Sequence, residues 1–268
     1  MPAEFCFTVD LDRDVNIHLP DMPEVAGSMD RGHGTEPRFE SALKGLEVLV
    51  NLLDEMGLPC TFFCEGHTLE VIRDHAGLLD RFDIGVHGYD HEYLSAMERP
   101  DAQAAVMHAV EAVKDVTGRN PSSFRAPYMK MPRDVASFLR GTGIHIDSST
   151  YARPDQCIPS VLPGYIVEIP VAEGFDINKK KMSAYLWPMH EGKRSPMDYG
   201  DMAQMVPDEG VFVLADHTWH MVELREDGVM DDFMIEENVF RTRTALQAVL
   251  DAGCEPVTIS QASQRAFR

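Results

Sequence analysis

The sequence predicts an α/β fold built on a parallel sheet, either open or closed into a barrel. Short apolar runs typical of buried strands alternate with segments whose apolar residues recur every three or four positions, as in helices. Ionisable residues follow several of these runs, at the strand ends where parallel α/β folds gather their functional groups. Because single α/β domains of 268 residues are ordinary, we expect one domain spanning residues 1–268.

The predicted elements alternate along the whole chain. The first strand is an apolar run, the helix after it carries a clear apolar stripe between Pro37 and Gly57, and the run before Asp216 is typical of a strand buried on both faces. Strands are expected at 4–9, 60–64, 83–86, 123–125, 144–147, 166–171, 211–215 and 256–259, and helices at 37–56, 69–79, 102–117, 132–139 and 234–250.

Two irregular segments interrupt this pattern. Residues 15–36 are rich in Pro, Gly, Asp and His, and a loop of that length is more often functional than idle. Residues 153–197 contain many Pro and Gly with one probable strand. We expect both segments to shape a pocket and to pack between subunits of a homo-oligomer.

Composition narrows the classes of partner. The net charge of −20 argues against nucleic acid and against an anionic membrane surface, which both require cationic patches. The N-terminus lacks the basic and apolar regions of a signal peptide, and no apolar run is long enough to cross a bilayer. The five cysteines include no close pair and are expected to be reduced, which favours the cytoplasm. A small-molecule substrate is therefore the expected partner.

The stretch from Gly85 to Glu92 contains two histidines at the end of a predicted strand. His87 and His91 are four residues apart, so a helical turn would place them close enough to share one ion. Imidazole pairs of this kind bind Zn²⁺ and several other divalent metals. The alternative is a polar loop whose histidines have no ligand.

Two aspartates follow the first strand and supply the missing ligand. Asp10 and Asp12 are two residues apart, so on an extended strand they point to the same face. One carboxylate is then available to bind the metal while the other acts as a base. Asp14 has the same parity and is the second candidate for the ligand. An Asp-rich turn that caps backbone amides is the structural alternative.

Further polar residues follow other predicted strands. Arg125 could hold Asp10 ionised, and the amide of Tyr128 could help to stabilise an oxyanion. His217 follows the apolar strand and is a candidate acid for a leaving amine, with Asp147 as the partner that keeps it protonated. His220 is the alternative acid.

These residues together resemble the polysaccharide deacetylase family, that is, the chitooligosaccharide deacetylase homology domain of carbohydrate esterase family 4. The first motif of the family corresponds to Thr8-Val9-Asp10-Leu11-Asp12, and the second to His87-Gly88-Tyr89-Asp90-His91. The third, Arg-x-Pro-Tyr, is complete in Arg125-Ala126-Pro127-Tyr128, and Thr61-Phe62-Phe63 matches the segment after the first helix.

The chain also departs from the family pattern. Leu11 between the aspartates and Gly88 in the second motif look more like the intracellular branch, which includes allantoinase-like and peptidoglycan deacetylase-like proteins, some of them associated with cyclic imides. The fourth motif keeps its aspartate, Asp147, but the residues that follow it, Ser148 and Ser149, differ from those usual in the family. The fifth, at 214–217, is one residue longer than usual, which leaves the acid open between His217 and His220.

The resemblance implies a distorted (β/α) barrel of about seven parallel strands. It also implies one divalent metal ion, with zinc expected first and Co, Fe, Mn or Ni as alternatives. The implied metal ligands are Asp12, His87 and His91. The implied catalytic groups are Asp10 as general base, Arg125 as its tether, His217 as general acid and Asp147 as the partner of His217.

The expected function is metal-dependent hydrolysis of a C–N amide bond, most simply the deacetylation of an N-acetylated sugar or a related small molecule. Hydrolysis of a cyclic imide or ureide is the alternative within the same fold. A non-catalytic metal- or carbohydrate-binding protein is an alternative of another class. An Fe(II) oxygenase is a further one, because two histidines and a carboxylate also form its metal site, although its fold would usually be all-β.

Overall fold

The computed structural model describes residues 2–13, 39–132, 134, 138–139, 141–224 and 228–267. The strands are β1 (Glu4–Leu11), β2 (Thr61–Cys64), β3 (Asp83–Val86), β4 (Ser123–Phe124), β5 (Ile146–Asp147), β6 (Tyr151–Ala152), β7 (Ser160–Leu162), β8 (Ile166–Glu168), β9 (Val171–Phe175), β10 (Lys181–Ser183), β11 (Val211–His217), β12 (Glu223–Leu224), β13 (Gly228–Val229) and β14 (Glu255–Pro256). The helices are α1 (Phe39–Met56), α2 (Gly66–Val71), α3 (Arg99–Thr117), α4 (Trp187–His190), α5 (Pro196–Ala203), α6 (Asp232–Asp251) and α7 (Ile259–Ala262).

The main sheet is a curled, mostly parallel sheet. Its order is β11–β1–β2–β3–β4–β5–β8–β7, with β14 also pairing with β1. The seven strands from β11 to β8 are all parallel to their neighbours, and only β7 joins antiparallel. The prediction of a distorted (β/α) barrel of about seven parallel strands is therefore confirmed.

A second, three-stranded sheet of β6, β9 and β10 lies beside the open edge of β11. The residues after β10 make the connection. The amide of Ala215 donates to the carbonyl of Ala184, and the amide of Leu186 donates to the carbonyl of Ala215. Tyr185 thus forms an isolated parallel bridge with Ala215. This bridge brings the irregular 153–197 segment up to the functional edge of the sheet.

Strand β1 is the centre of the core. All eight of its residues are buried, because it lies between β11 and β2 and is covered by α1. Gly45 of α1 touches the turn after β11 so closely that an added Cβ would lie 1.8 Å from the carbonyl oxygen of Thr218. Only glycine permits this approach, and it fixes the turn that directly follows His217 against α1.

Three predicted elements differ from the structure. The helix predicted at 69–79 begins earlier, as α2, because the amides of Gly66 and His67 donate to the carbonyls of Gly88 and Tyr89; it continues as a 3₁₀ turn over Arg73–Leu79. The strand predicted at 166–171 is split at Pro170 into β8 and β9, which belong to different sheets.

The strand predicted at 256–259 ends at Pro256, because Thr258 and Gln261 form a capping box that starts α7. The loop at 15–36 and Asp14 lie outside the described residues, as does half of the helix predicted at 132–139. Within the described part of the chain, none of the helices combines the length and the apolar character that crossing a bilayer requires.

Candidate functional site

The polar residues that follow the parallel strands meet at one edge of the sheet. Strands β1 and β11 pair so that Asp10 lies opposite His217. β3 and β4 pair next to each other and deliver His87 and Arg125, and β5 ends at Asp147. The expected clustering at the carboxyl ends of the strands is therefore present.

Asp12, His87 and His91 offer three ligand atoms that lie within 4.8 Å of one another. The Nε2 atoms of His87 and His91 are 4.0 Å and 3.6 Å from Oδ2 of Asp12. Nδ1 of His87 is 2.9 Å from the carbonyl oxygen of Arg125. Because a carbonyl only accepts, Nδ1 carries the proton, and the lone pair of Nε2 faces the aspartate.

The electrostatics of this triad fit a divalent cation. Burial raises the pKa of Asp12, and the negative charges of Asp10 and Glu65 raise it further. Burial lowers the pKa of His91 well below its ordinary value, so its imidazole is neutral. Among the described residues, Oδ1 of Asp12 has no hydrogen-bond partner. Two neutral imidazoles beside an uncompensated buried carboxylate are the donor set of a Zn²⁺ or similar site.

Asp10 lies next to this triad and is held from two sides. Its Oδ1 accepts from an Nη of Arg125 at 2.9 Å, and its Oδ2 accepts from the hydroxyl of Tyr185 at 3.1 Å. Burial acts to raise the pKa of Asp10, but Arg125, His87 and His217 together outweigh it and lower the pKa. Asp10 is therefore an ionised carboxylate in a buried site.

Arg125 is completely buried and bridges three strands. Besides Asp10, it donates to the hydroxyl of Thr8 at 2.8 Å, and to the carbonyl and the hydroxyl of Ser148. Its guanidinium carbon lies 4.3 Å from the centre of the Phe63 ring. These contacts fix the orientation of the group that holds Asp10.

The structure places His217 and His220 differently. Nε2 of His217 is 3.9 Å from Oδ2 of Asp10, and the ring lines the cavity and stacks on Tyr185. His220 is fully buried, packs against the Trp219 ring at 3.6 Å and turns Nε2 towards Glu191. The first of the two candidate acids thus faces the site.

Asp147 lies behind Arg125. Its Oδ1 accepts from the hydroxyl of Ser149 at 2.5 Å, and that hydroxyl in turn accepts from the amide of Ala126 at 2.8 Å. The carboxyl group of Asp147 also shares a hydrogen bond with Glu168. These contacts support the loop that carries Arg125. The expected pairing with His217 is not among the described contacts of Asp147.

Tyr128 belongs to a strained turn at the mouth of the site. Its φ of 59° and that of Met129, 57°, lie in the left-handed region, as does the φ of His91, 53°. Such non-glycine residues cost energy and cluster at functional sites. The Tyr128 ring packs edge-on against His91 at 4.5 Å. The turn therefore braces one metal-ligand position.

These groups surround a cavity of about 150 Å³. Its polar floor is formed by the metal-ligand triad with Asp10 and His217, and its walls are mostly aromatic. The walls include both tryptophans of the chain. The aromatic wall residues are Tyr128, Tyr151, Tyr185, Trp187 and Trp219.

Sequence reasoning missed Tyr185 and the serines behind Arg125. Tyr185 comes from an irregular segment without periodicity, and its only signal is an aromatic residue just after a short strand.

A second group that sequence reasoning missed consists of His190, Asp216 and Asn238. Nε2 of His190 lies 2.9 Å from Asp216, and Nδ1 lies 2.6 Å from Oδ1 of Asn238.

Part of the chain is similar in sequence to known deacetylases. Residues 40–146 match the polysaccharide deacetylase family model. A peptidoglycan deacetylase from Helicobacter pylori is 29% identical over 107 residues, which are 39% of this chain and 36% of that protein. The alignment thus spans about a third of the length of this relative. The range 40–146 that the family model matches contains His87, His91 and Arg125 but none of Asp10, Asp12 and His217.

Two solved structures align with almost the whole chain. One, assigned by its name to the polysaccharide deacetylases, is from Mycobacterium smegmatis, with a TM-score of 0.69 and 22% identity over 99% of this chain and 90% of that chain. The other is a PuuE allantoinase, with a TM-score of 0.63 and 10% identity over 98% of this chain and 89% of that chain. At these identities the likeness shows the fold. The resemblance stated from the motifs is confirmed, and an allantoinase is among the neighbours.

Proposed function

Since this chain resembles the polysaccharide deacetylase family in its motifs, in residues 40–146 and in its fold, we propose that it is a metal-dependent hydrolase of a C–N amide bond. The favoured reaction is deacetylation of an N-acetylated sugar or a related small molecule. One observation carries this proposal: an ionised carboxylate, Asp10, lies beside a separate triad of metal ligands and opposite a histidine.

Asp12, His87 and His91 would hold the ion, with zinc expected first. A divalent ion at this position supplies Lewis acidity, which lowers the pKa of water and polarises a carbonyl oxygen. The chain's own contribution is to keep the two imidazoles neutral and to orient all three donors. The carbonyl of Arg125 does this for His87 by fixing its tautomer.

Asp10 is proposed as the general base that takes a proton from the attacking water. Arg125 and Tyr185 keep it ionised and aim it at the cavity. The amide of Tyr128 is proposed as a donor to the oxygen of the tetrahedral intermediate. His217, whose Nε2 lies 3.9 Å from Oδ2 of Asp10, would give a proton to the departing nitrogen. Water and the amide are converted to a carboxylic acid and an amine.

A positioning role is proposed for Asp147 in addition to the one that the resemblance implies. Its contacts with Ser149, and through it with the amide of Ala126, support a function in positioning the Arg125 loop. Holding His217 protonated remains the prediction made from the resemblance. The position of His217 on the cavity favours it over His220 as the acid.

A cyclic imide or ureide is the second candidate substrate. Gly88 has a φ of 73°, and an added Cβ would lie 2.8 Å from a carboxylate oxygen of Glu92 and 3.0 Å from the ring of Pro127. The serine or threonine that is usual at this place in the family would be strained at this φ and would crowd Glu92 and Pro127, so the local conformation favours glycine. This favours the branch that includes allantoinase-like proteins.

The test is hydrolysis by protein first stripped of metal and then reloaded with Zn, Co, Mn, Ni or Fe. Acetate release from N-acetylated sugars and ring opening of cyclic imides are measured in parallel. We expect turnover only with metal. Undiminished turnover by the stripped protein would refute metal dependence. A folded, metal-loaded protein that hydrolyses none of these compounds would favour the non-catalytic alternative. The α/β fold counts against the oxygenase alternative, whose fold would usually be all-β.

A further inference from the structure

A second cleft borders the cavity. Its lining is positively charged, although the molecule as a whole is negatively charged. The cleft has a volume of about 660 Å³ and shares the side chain of Trp187 with the cavity. Its charged lining residues are Lys180, Lys181, Lys193 and Arg194 with a single acid, Glu173. By formal count this lining carries +3, in a chain whose net charge is −20.

The cations of this cleft differ in what they contact. Lys181 is 2.9 Å from Glu173. Arg194 donates to the backbone carbonyls of Lys181 and Lys193 and lies 3.6 Å from Asp176. These two side chains build the cleft, because they tie together the segments on both of its sides.

The remaining two cations are available to a ligand. Lys180 and Lys193 are exposed, and within the described parts of the chain neither ammonium group is paired with a carboxylate. The ammonium of Lys193 lies 5.7 Å from the centre of the Trp187 ring. A cation on the tryptophan that walls the cavity is well placed to meet the part of a substrate that leaves the cavity.

The size of the cavity requires such an exit. Pockets that enclose a whole drug-sized ligand measure about 300–1,000 Å³, whereas the described cavity measures about 150 Å³. It fits the acyl group and its nearest neighbours, so the rest of the substrate has to extend over its rim. The cleft beyond Trp187 is a continuation of matching size.

We propose that the cleft binds an anionic substituent of the substrate, a phosphate or a carboxylate, while the amide to be hydrolysed lies in the cavity. This inference rests on the proposed function and names the substrate class, an anionic N-acylated sugar rather than a neutral one. Lys180 and Lys193 contact the substituent and take no part in bond breaking. They bind ground state and transition state alike, so they act on KM rather than on kcat.

The experiment compares three probes: neutral N-acetylglucosamine, N-acetylglucosamine-6-phosphate and N-acetylmuramic acid. Binding is measured by calorimetry with the zinc-loaded Asp10→Asn protein, and hydrolysis with the otherwise unchanged chain. The double substitution Lys180→Gln/Lys193→Gln is set against Lys44→Gln/Lys114→Gln, which removes the same charge from α1 and α3. The Lys44→Gln/Lys114→Gln variant shows how much of any loss of affinity comes from the change in net charge rather than from the cleft.

We expect at least one anionic probe to bind about tenfold more tightly than the neutral sugar, in line with charge-assisted hydrogen bonds. The cleft pair should abolish this preference, and the control pair should keep it. The phosphate and carboxylate probes then identify which anion is preferred.

Equal affinity for charged and neutral probes would overturn the proposal, as would an equal loss in both double variants or binding of no probe at all. Charge-selective binding without hydrolysis would support the cleft and count against the proposed function alone. The two claims can therefore fail separately.

Discussion

Arg13 forms ion pairs with Asp90, at 2.5 Å, and with Glu65, at 2.7 Å. Arg13 directly follows the ligand position Asp12, and Asp90 directly precedes the ligand position His91. Asp90 also accepts from His67 at 2.9 Å. One guanidinium therefore fastens the end of β1 to the loop after β3, and so sets the spacing of two metal ligands.

Loss of this contact should loosen the metal site. Asp90→Ala leaves all three ligand residues in place, and we expect metal affinity to fall by about tenfold or more, as for other partners that orient ligands. Competition with a chelating dye measures it. Asp80→Ala, at an exposed position, is the control and should bind as the unchanged chain does. Unaltered affinity in Asp90→Ala would show that the ligands are held by other contacts.

Asp10→Asn should separate metal binding from turnover. Asparagine keeps an oxygen for Arg125 and Tyr185 to donate to, but it does not accept a proton from water. Turnover should fall by about 10²–10⁴-fold, the range for loss of a general base, while the metal content per chain stays the same. Elemental analysis and steady-state rates on one preparation measure both. A near-normal rate would remove Asp10 from the mechanism.

His190 should be important for stability. Nδ2 of Asn238 donates to the carbonyls of His220 and Met221, so its Oδ1 faces one ring nitrogen of His190, and Asp216 lies at the other. Both ring nitrogens of this buried histidine are therefore hydrogen-bonded. His190→Leu leaves the Asp216 charge buried without its partner, which costs about 3–5 kcal/mol in comparable pairs.

Urea unfolding measures this loss. The matched control is Arg243→Ala, which breaks the exposed ion pair with Glu55 and should cost at most about 1 kcal/mol. If His190→Leu loses no more than the control, the buried pair is not ionic.

Asp147 and Glu168 should make stability depend on pH. Burial, and then the neighbouring charge of Asp147, raise the pKa of Glu168 to about 9, and burial raises the pKa of Asp147 to about 6. Both folded pKa values lie above those of the unfolded chain. Their stabilising contribution is therefore complete at low pH and is lost as the pH rises from about 4.5 to about 9.

Glu168→Gln keeps the shape of the side chain but removes the larger of these two pKa shifts. Between pH 5.5 and 8.5, the free energy of unfolding of the unchanged chain should fall more steeply than that of the variant, by up to about 1.4 kcal/mol per pH unit. Urea unfolding at three pH values measures the two slopes. Parallel slopes would mean that the two carboxyl groups do not share a proton.

The sequence predicted those parts of the site that local pattern encodes. Asp10, Asp12, His87 and Arg125 each follow a strand that its apolar residues reveal, and parallel strands end at a common edge. The ranges of α1 and β3 were predictable for the same reason, since each has a clear periodicity or boundary.

The rest depends on contacts between segments far apart in the chain. Tyr185 reaches Asp10 only because its segment bridges to Ala215. Asp147 contacts Glu168 because β8, which carries Glu168, pairs with β5 in the sheet. The order of strands in the sheet is not encoded locally. Pro170 marks the break between β8 and β9 locally, but the change of sheet that follows it depends on distant strands.

The position of β1 between β2 and β11 has a consequence for biosynthesis. All three metal-ligand positions have been synthesised once residue 91 is added, whereas β11, with His217, follows much later in the chain. Until then the β11 side of β1 has no strand partner, although Thr8 will later donate to the carbonyl of Leu214 there. A nascent chain thus holds its metal ligands early but exposes a strand edge, where pairing with another chain would compete with correct folding.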